Sequence, residues 1–306
     1  MNFENNKTYN LFVRVDSANK NNKIVNLSVT LSDESNINIK VNEEQFKSIT
    51  LGEVYYVDVL CKDNGTRKQL LVSDFKLALD LDLSEELEKA LRTFYSVAPV
   101  SICSIKKQVE KYLYNIKNKI LKDISLALYK EHERKFSIYP AGTKMHHAYL
   151  GGLLYHTHSM LELCDGYLKV YPTLNSDYLS AGIILHDIMK VKEFVGPNVV
   201  EYSIEGQLVG HIVMSTIEVE KKAIELGYEN TEEVLILKHL LLSHHGQLAY
   251  GSPKKPMTKE AVLISSLDSI DSKLRVLEEE LEKTVEGSFT NNIMVLERGK
   301  FYKTKK

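Results

Sequence analysis

Cysteine is scarce in this chain: Cys61, Cys103 and Cys164 are the whole supply, far apart and without a CxxC pair. That excludes a disulfide framework and a zinc ribbon, and reads as reduced thiols in a cytoplasmic protein. Tryptophan is absent altogether, and nothing in the sequence accounts for it. No stretch is apolar enough over enough residues to span a bilayer, and the polar start MNFENNKTYN carries no apolar signal segment, so no membrane role is expected. A large charge of either sign is missing too. The 39 Lys and Arg against 41 Asp and Glu leave a net −2, which argues against indiscriminate binding of polyanions. There is no internal repeat, low-complexity linker, serine nucleophile elbow, Walker loop or GxGxxG run.

What is present suits a soluble protein of more than one domain: 306 residues, 43% hydrophobic and 26% charged. Residues 1–80 alternate as strands do. Leu11, Val13 and Val15 interleave with Phe12 and Arg14; Leu27, Val29 and Leu31 with Ser28 and Thr30; Ile37, Ile39 and Val41 with Asn38 and Lys40. A short polar helix, NEEQFKSI, precedes two further strands through VYYVDVLCK and QLLVSDFKLA. Five strands with a helix between the third and fourth is the order of an OB-type barrel, a fold often used for oligonucleotides, although SH3-like barrels give similar strings. Phe12, Arg14, Tyr55 and Tyr56 are candidate contacts for a nucleic-acid strand. Alternation puts only one of the two tyrosines inside, and the plainer reading is that the other simply covers the barrel. Ten basic and eleven acidic side chains make residues 1–80 a poor electrostatic trap by themselves.

After Leu83 the period changes to that of helices, beginning with Ser84 as N-cap and Glu85 and Glu86 in the first turn. Helices are predicted over 101–134, 146–169, 176–189, 204–226, 231–245 and 258–284. The fold class expected is therefore β followed by all-α, with a five-stranded barrel at 1–80, a helical basic connector at 81–135 and a helical domain at 136–306. From Lys106 to Lys144 ten Lys and Arg face four acids, and PKKPMTK and RGKFYKTKK are also basic. Solvated helix faces explain any one of these patches about as well as a ligand does.

The histidines are the sharpest signal. All but His132 of the ten lie between His146 and His245, and one opens the pair His186-Asp187. Imidazole and carboxylate together bind first-row divalent cations. Successive residues on a helix point about 100° apart, so His186 and Asp187 can share a cluster only beside a helix end. The economical arrangement is one cation on His156, His186, Asp187 and Asp268, and a second sharing Asp187 and taking His211, His244 and His245. Two such cations about 4 Å apart activate a water for phosphodiester hydrolysis at neutral pH.

Each residue also has a plainer reading. A lone His211 is more often a buried neutral histidine, and His244-His245 could be one ligand plus one substrate contact. Asp271, one turn beyond Asp268, could replace it, but Leu263, Ile264 and Leu267 mark the buried face around Asp268. Lys190 could meet a scissile phosphate or merely complement a helix dipole. His146 and His147 are candidate phosphate contacts or a helix-start pair. His158 and His239 are expected to be non-ligands.

The strings HHAYLGGLLYHTHSM, LHDIMK, GHI, LSHHG and SSLDSIDSK resemble the HD-domain phosphohydrolase superfamily. With the barrel, LSHHGQLAYGSPKKP and the terminal FYK, the resemblance covers nearly the whole chain and is closer to the YhaM family of bacterial exoribonucleases, an OB-fold followed by an HD domain. It implies a cytoplasmic 3′→5′ exoribonuclease that acts on single-stranded RNA and releases nucleoside monophosphates; whether single-stranded DNA is also a substrate the sequence leaves open. The cofactor implied is a divalent metal, commonly manganese, with iron, cobalt, zinc or magnesium as substitutes. The family's HD ligands fall on His156, His186, Asp187 and Asp268, and the histidines of two-metal members on His211, His244 and His245. Met189 is a departure, since the family's HDxGK run usually has glycine there; a methionine is expected to crowd the turn before Lys190. Two other readings stay open: a phosphohydrolase of small nucleotides or cyclic dinucleotides, and a non-catalytic protein that binds single strands or DNA. Homo-oligomerisation is also left open.

Overall fold

The computed structural model describes residues 3–21, 24–63, 65, 67–142, 147–198 and 201–305, and the chain divides into two compact units, Met1–Ser96 and Val97–Lys306. His146 and Lys144 lie outside the described residues.

In the first unit the alternating segments form β1 (Thr8–Asn21), β2 (Ile24–Leu31), β3 (Asn36–Asn42), β4 (Val54–Asp63) and β5 (Lys68–Leu77), with α1 (Glu43–Lys47) between β3 and β4. They close in the order β1-β2-β3-β5-β4, with β1 also paired to β4. The β3–β5 pairing is parallel, and the other pairs are antiparallel. Closure leaves no unpaired edge, and this is the element order expected from the sequence. Val13, Val15, Leu27, Val29, Ile39, Val57 and Val59 fill the interior. Asn42 caps α1 reciprocally with Gln45. The unit ends with α2 (Glu85–Phe94), capped by Ser84 as anticipated.

The second unit holds α3 (Ile102–Asn115), α4 (Lys119–Ile138), α5 (Gly152–Val170), α6 (Ser176–Leu185), α7 (Lys190–Glu193), α8 (Ile204–Leu208), α9 (His211–Leu226), α10 (Glu232–Ser243) and α11 (Lys259–Glu282). The helix expected over 101–134 is two helices, because the Asn118 side chain accepts from the Leu121 amide and starts a new one. Nor do α3 and α4 form a free connector. They bury Ile105, Val109 and Leu113, and Leu121, Ile124 and Leu128, and pack on α5, α6 and α9. Some of their positive charge is neutralised locally: Lys106 pairs with Glu110 and Glu133, and Lys119 with Asp123. No helix among the described residues is long and apolar enough to cross a membrane.

Two glycines set the approach of the helices. A Cβ on Gly182 would lie 2.6 Å from Ile264 Cδ1 and 2.9 Å from Leu240 Cδ1, so α6 sits close against α10 and α11. A Cβ on Gly152 would fall 2.0 Å from the His147 carbonyl oxygen, a backbone atom that has no side-chain freedom to yield. Gly152→Ala is therefore expected to displace the start of α5 and cost at least about 2 kcal/mol, within the usual range for overpacking. Denaturant unfolding of the purified variant measures it, and an unchanged midpoint would show that the close approach carries no constraint.

Candidate metal centre

Five helices bring the site together. His156 lies in the second turn of α5, His186 and Asp187 follow the last turn of α6, and His211 opens α9. His244 and His245 follow α10, and Asp268 and Asp271 share a face of α11. The imidazoles form a continuous row: His156 to His186 is 5.3 Å between ring centroids, His186 to His244 5.0 Å, His244 to His245 4.4 Å and His211 to His245 5.4 Å.

Helix ends explain how the rings are aimed. The last carbonyls of a helix have no partner within it. His186 Nδ1 donates to the Ile183 carbonyl at 2.7 Å, and His244 Nδ1 to the Leu241 carbonyl at 2.6 Å, so each ring takes the carbonyl three residues back. His245 Nδ1 donates to the Tyr250 carbonyl at 2.8 Å. Carboxylates hold the other two: His156 Nδ1 lies 2.7 Å from Asp271 Oδ2, and His211 Nδ1 lies 2.9 Å from both oxygens of Glu193. A carbonyl or ionised carboxylate can only accept, so each Nδ1 carries a proton, and in the neutral ring Nε2 is left to present a lone pair.

Those lone pairs converge on Asp187. Its Oδ2 lies 3.2 Å from His186 Nε2, and its Oδ1 lies 3.2 Å from His211 Nε2 and 3.7 Å from His244 Nε2. The Nε2 atoms of His186, His211 and His244 and the Oδ1 of Asp187 are buried without a hydrogen-bond partner. Each such group costs about 1–3 kcal/mol if left unmet. All four are acceptors, so a cation is the species that satisfies them together. Among the described residues three sets have ligand atoms within 4.8 Å of one another: His156 with His186 and Asp187, His211 with His244 and His245, and His147 with His156 and Asp271. The first two share their histidines with the groups expected from the sequence, without Asp268 in the one or Asp187 in the other, and the nitrogen and oxygen donors suit a first-row divalent metal.

The charges agree. Burial by itself would raise the Asp187 carboxyl, but His186, Lys190 and His211 hold it well below the usual carboxylate range. Burial pushes His244 well down, helped by His186 and His245, and lowers His245. Burial would also lower His156, but Asp268 and Asp271, one on each ring nitrogen, raise it to about 10. Two carboxylates thus call for positive charge at that ring.

Lys190 lies 2.7 Å from Asp187 Oδ2 and donates to the Ala141 carbonyl at 2.7 Å. Burial would lower its ammonium pKa, but Asp187 raises it above the ordinary lysine value. The crowding expected from Met189 does not occur. Its φ of −82° is open to any L-residue, and its side chain is buried.

Other expectations need correcting. His147 is fully buried: its Nε2 donates to Asp271 Oδ2 at 3.0 Å, and the Tyr149 hydroxyl donates to its Nδ1 at 2.9 Å. Both nitrogens are engaged, so it braces Asp271 behind His156 and is not placed to meet a phosphate. Asp271, weighed as a replacement for Asp268, sits on His156 Nδ1, whereas Asp268 Oδ1 lies 3.3 Å from His156 Nε2, on the cluster side. His158 bonds Gln108, and His239 accepts from the Met257 amide, both away from the cluster.

On the barrel, Tyr55 is a core residue with its hydroxyl accepting from the Thr50 amide, so it offers no stacking face. Phe12 is nearly buried against Tyr56 at 4.8 Å, and Arg14 pairs with Asp16 and stacks on Phe94. Tyr56 is the aromatic left partly exposed, on a face it shares with Asp58, Asp74, Asp82 and Glu86. Glu193 was missed by sequence reading, although an acid between the apolar Val191 and Phe194, one turn past Lys190, is a usable signal.

The centre opens into a cleft of about 900 Å³ lined by His156, Lys190, His211, His245 and Asp268, with Phe194, Tyr202, Tyr250 and Phe301 on its walls. Fold and site together define an HD-domain protein with a divalent-metal centre, and a model of the HD domain matches residues 153–273. The chain is 42% identical to the 3′-5′ exoribonuclease YhaM of Bacillus subtilis over 221 residues, 72% of this chain and 70% of that protein. It is 40% identical to the same-named protein of a Geobacillus species over 237 residues, 78% and 71% of the two chains. With that of Halalkalibacterium halodurans it shares 35% over 281 residues, 90% and 86%. No solved structure matches. The chain belongs to the YhaM family.

Because Glu193 fixes His211 from behind, Glu193→Ala should weaken metal retention by about 10- to 100-fold, as loss of such partners typically does. Equilibrium dialysis against manganese reads this directly. Glu193→Gln, which keeps an acceptor, should lose less.

Proposed function

We propose that this chain is a divalent-metal-dependent 3′→5′ exoribonuclease that trims single-stranded RNA to nucleoside monophosphates. The observation that carries the reading is the division of Asp187: its two oxygens face different groups of imidazoles, and the unpaired Nε2 atoms around it are all acceptors. Two cations would be held there, one by His156, His186, Asp187 and Asp268, the other by Asp187, His211, His244 and His245, with manganese as the favoured ion. When bound, such cations supply a nucleophile at neutral pH and neutralise charge on the phosphate. Lys190, fixed by Asp187 and Ala141, keeps a further positive charge at the cleft for the scissile phosphate. The cleft is within the size range of small-molecule pockets, about 300–1,000 Å³, and a terminal nucleotide fits that range. The names carried by the relatives support RNA as substrate. The three free cysteines are consistent with a reducing, cytoplasmic setting.

The test uses a 5′-labelled single-stranded RNA. With manganese a descending ladder is expected; chelator should stop it. Asp187→Ala should abolish turnover, with loss of metal from at least one site. Intact RNA in the presence of metal-loaded protein would sink the proposal. Hydrolysis of a cyclic dinucleotide without any ladder would favour a phosphohydrolase of small nucleotides.

A further inference from the structure

The cleft has a wall that contributes no metal ligand. Beyond α11 the chain turns back on itself, with Phe289 bridged to Tyr302 and Ile293 to Gly299. Backbone bonds tie Gly287 to Lys303, Lys303 to Ser288 and Arg298 to Ile293. The tip, Met294–Leu296, is a single 3-10 turn followed by Glu297 and Arg298, both in the left-handed region at φ 56° and 60°. Such a conformation is costly for residues other than glycine and persists only where the surroundings impose it.

Phe301 is held in this hairpin from both sides. Its amide donates to the Thr290 hydroxyl at 3.0 Å, and its carbonyl accepts from the Thr290 amide at 2.9 Å. Thr290 itself is buried. Alternation along the extended segment sends Tyr302 the other way, where its ring packs on Phe289 at 5.3 Å. The Phe301 ring lies over Gly299; a Cβ there would be 3.1 Å and 3.2 Å from two of its carbons. The result is a fixed, half-buried phenyl ring facing the cleft that Lys190, His211 and Asp268 also line.

We propose that Phe301 is the platform on which the 3′-terminal base of the RNA stacks while its phosphate reaches the metal centre. The inference rests on the exoribonuclease reading and deepens it. A phenyl face accepts any base, because every base has a π surface, so the platform positions the terminal nucleotide without selecting sequence. Leu296, on the same wall, adds apolar contact beside the ring. Phe301 is a substrate-positioning residue, removed from the proton transfers at the phosphate.

The experiment compares two RNAs that differ in their last residue, one with an ordinary 3′-terminal nucleotide and one with an abasic 3′-terminal ribose. The metal-loaded wild-type protein should release the ordinary terminus faster by about 10- to 100-fold in kcat/KM, the range that stacking of one base on one aromatic spans. Phe301→Ala should erase this difference, losing rate on the ordinary RNA and matching wild type on the abasic one. Phe301→Trp should restore it. Equal loss on both RNAs, or no loss on either, overturns the platform and leaves the exoribonuclease reading standing. A metal-loaded wild-type protein inert on both RNAs overturns that reading and the platform with it.

Discussion

The helical unit is organised around one buried carboxylate. Asp187 is almost wholly removed from solvent, a position that an ionised group tolerates only with charge and hydrogen-bond donors brought to it. Lys190 supplies one positive charge. The imidazoles around it direct their Nδ1 protons outward to carbonyls and carboxylates and turn Nε2 toward the carboxylate. What faces Asp187 is therefore a shell of lone pairs, a poor environment for an anion and a good one for a divalent cation. This single demand explains why helix ends from α6, α9 and α10 meet at one point, with Gly182 carrying no side chain where α6 approaches α10 and α11.

The five rings are fixed by two devices with different consequences. His186, His244 and His245 lean on backbone carbonyls, which are always present and always neutral. His156 and His211 lean on Asp271 and Glu193, which bring charge. A carboxylate behind a ring raises its basicity as a ligand and adds negative charge to a site meant for cations. Each of the two groups of ligands contains one ring of the carboxylate kind: His156 in one, His211 in the other. The centre is thus balanced from behind by side chains that never touch a bound ion, and His147 with Tyr149 extends that bracing one layer further behind His156.

Much of this was legible in the sequence. The period-2 segments, the short polar helix α1 and the later shift to helix periodicity at Ser84 specify a barrel followed by helices. The position of His186-Asp187 near a helix end forecasts that both can enter one cluster, and the structure realises it with a turn over 186–189. Other features were hidden for physical reasons. Asp268 and Asp271 are one turn apart on the same face, so periodicity cannot say which meets the front of His156 and which its back. Alternation says that one of Tyr55 and Tyr56 is inside but not which, since both are large and amphipathic. The hairpin over 287–303 has only isolated bridges and no run of alternating residues, so it leaves almost no periodic trace. His147 misled because a histidine beside glycines looks exposed, whereas here Gly152 lets its backbone come close enough to bury it.

The charge distribution bears on how RNA would be held. The chain is nearly neutral overall, the lysines of α3 and α4 are partly paired within their own helices, and the aromatic face of the barrel carries acids. A protein that grips a strand along its length does so by neutralising many phosphates, and its affinity falls steeply with salt. At the cleft itself the positive charge comes from Lys190, Lys273 and whatever cations the histidine centre holds. On the exoribonuclease reading the last nucleotides are held there through metal, lysine and stacking. On that reading a free 3′ end is recognised by the chemistry of the cleft, where the ligand set, Lys190 and an aromatic wall come together.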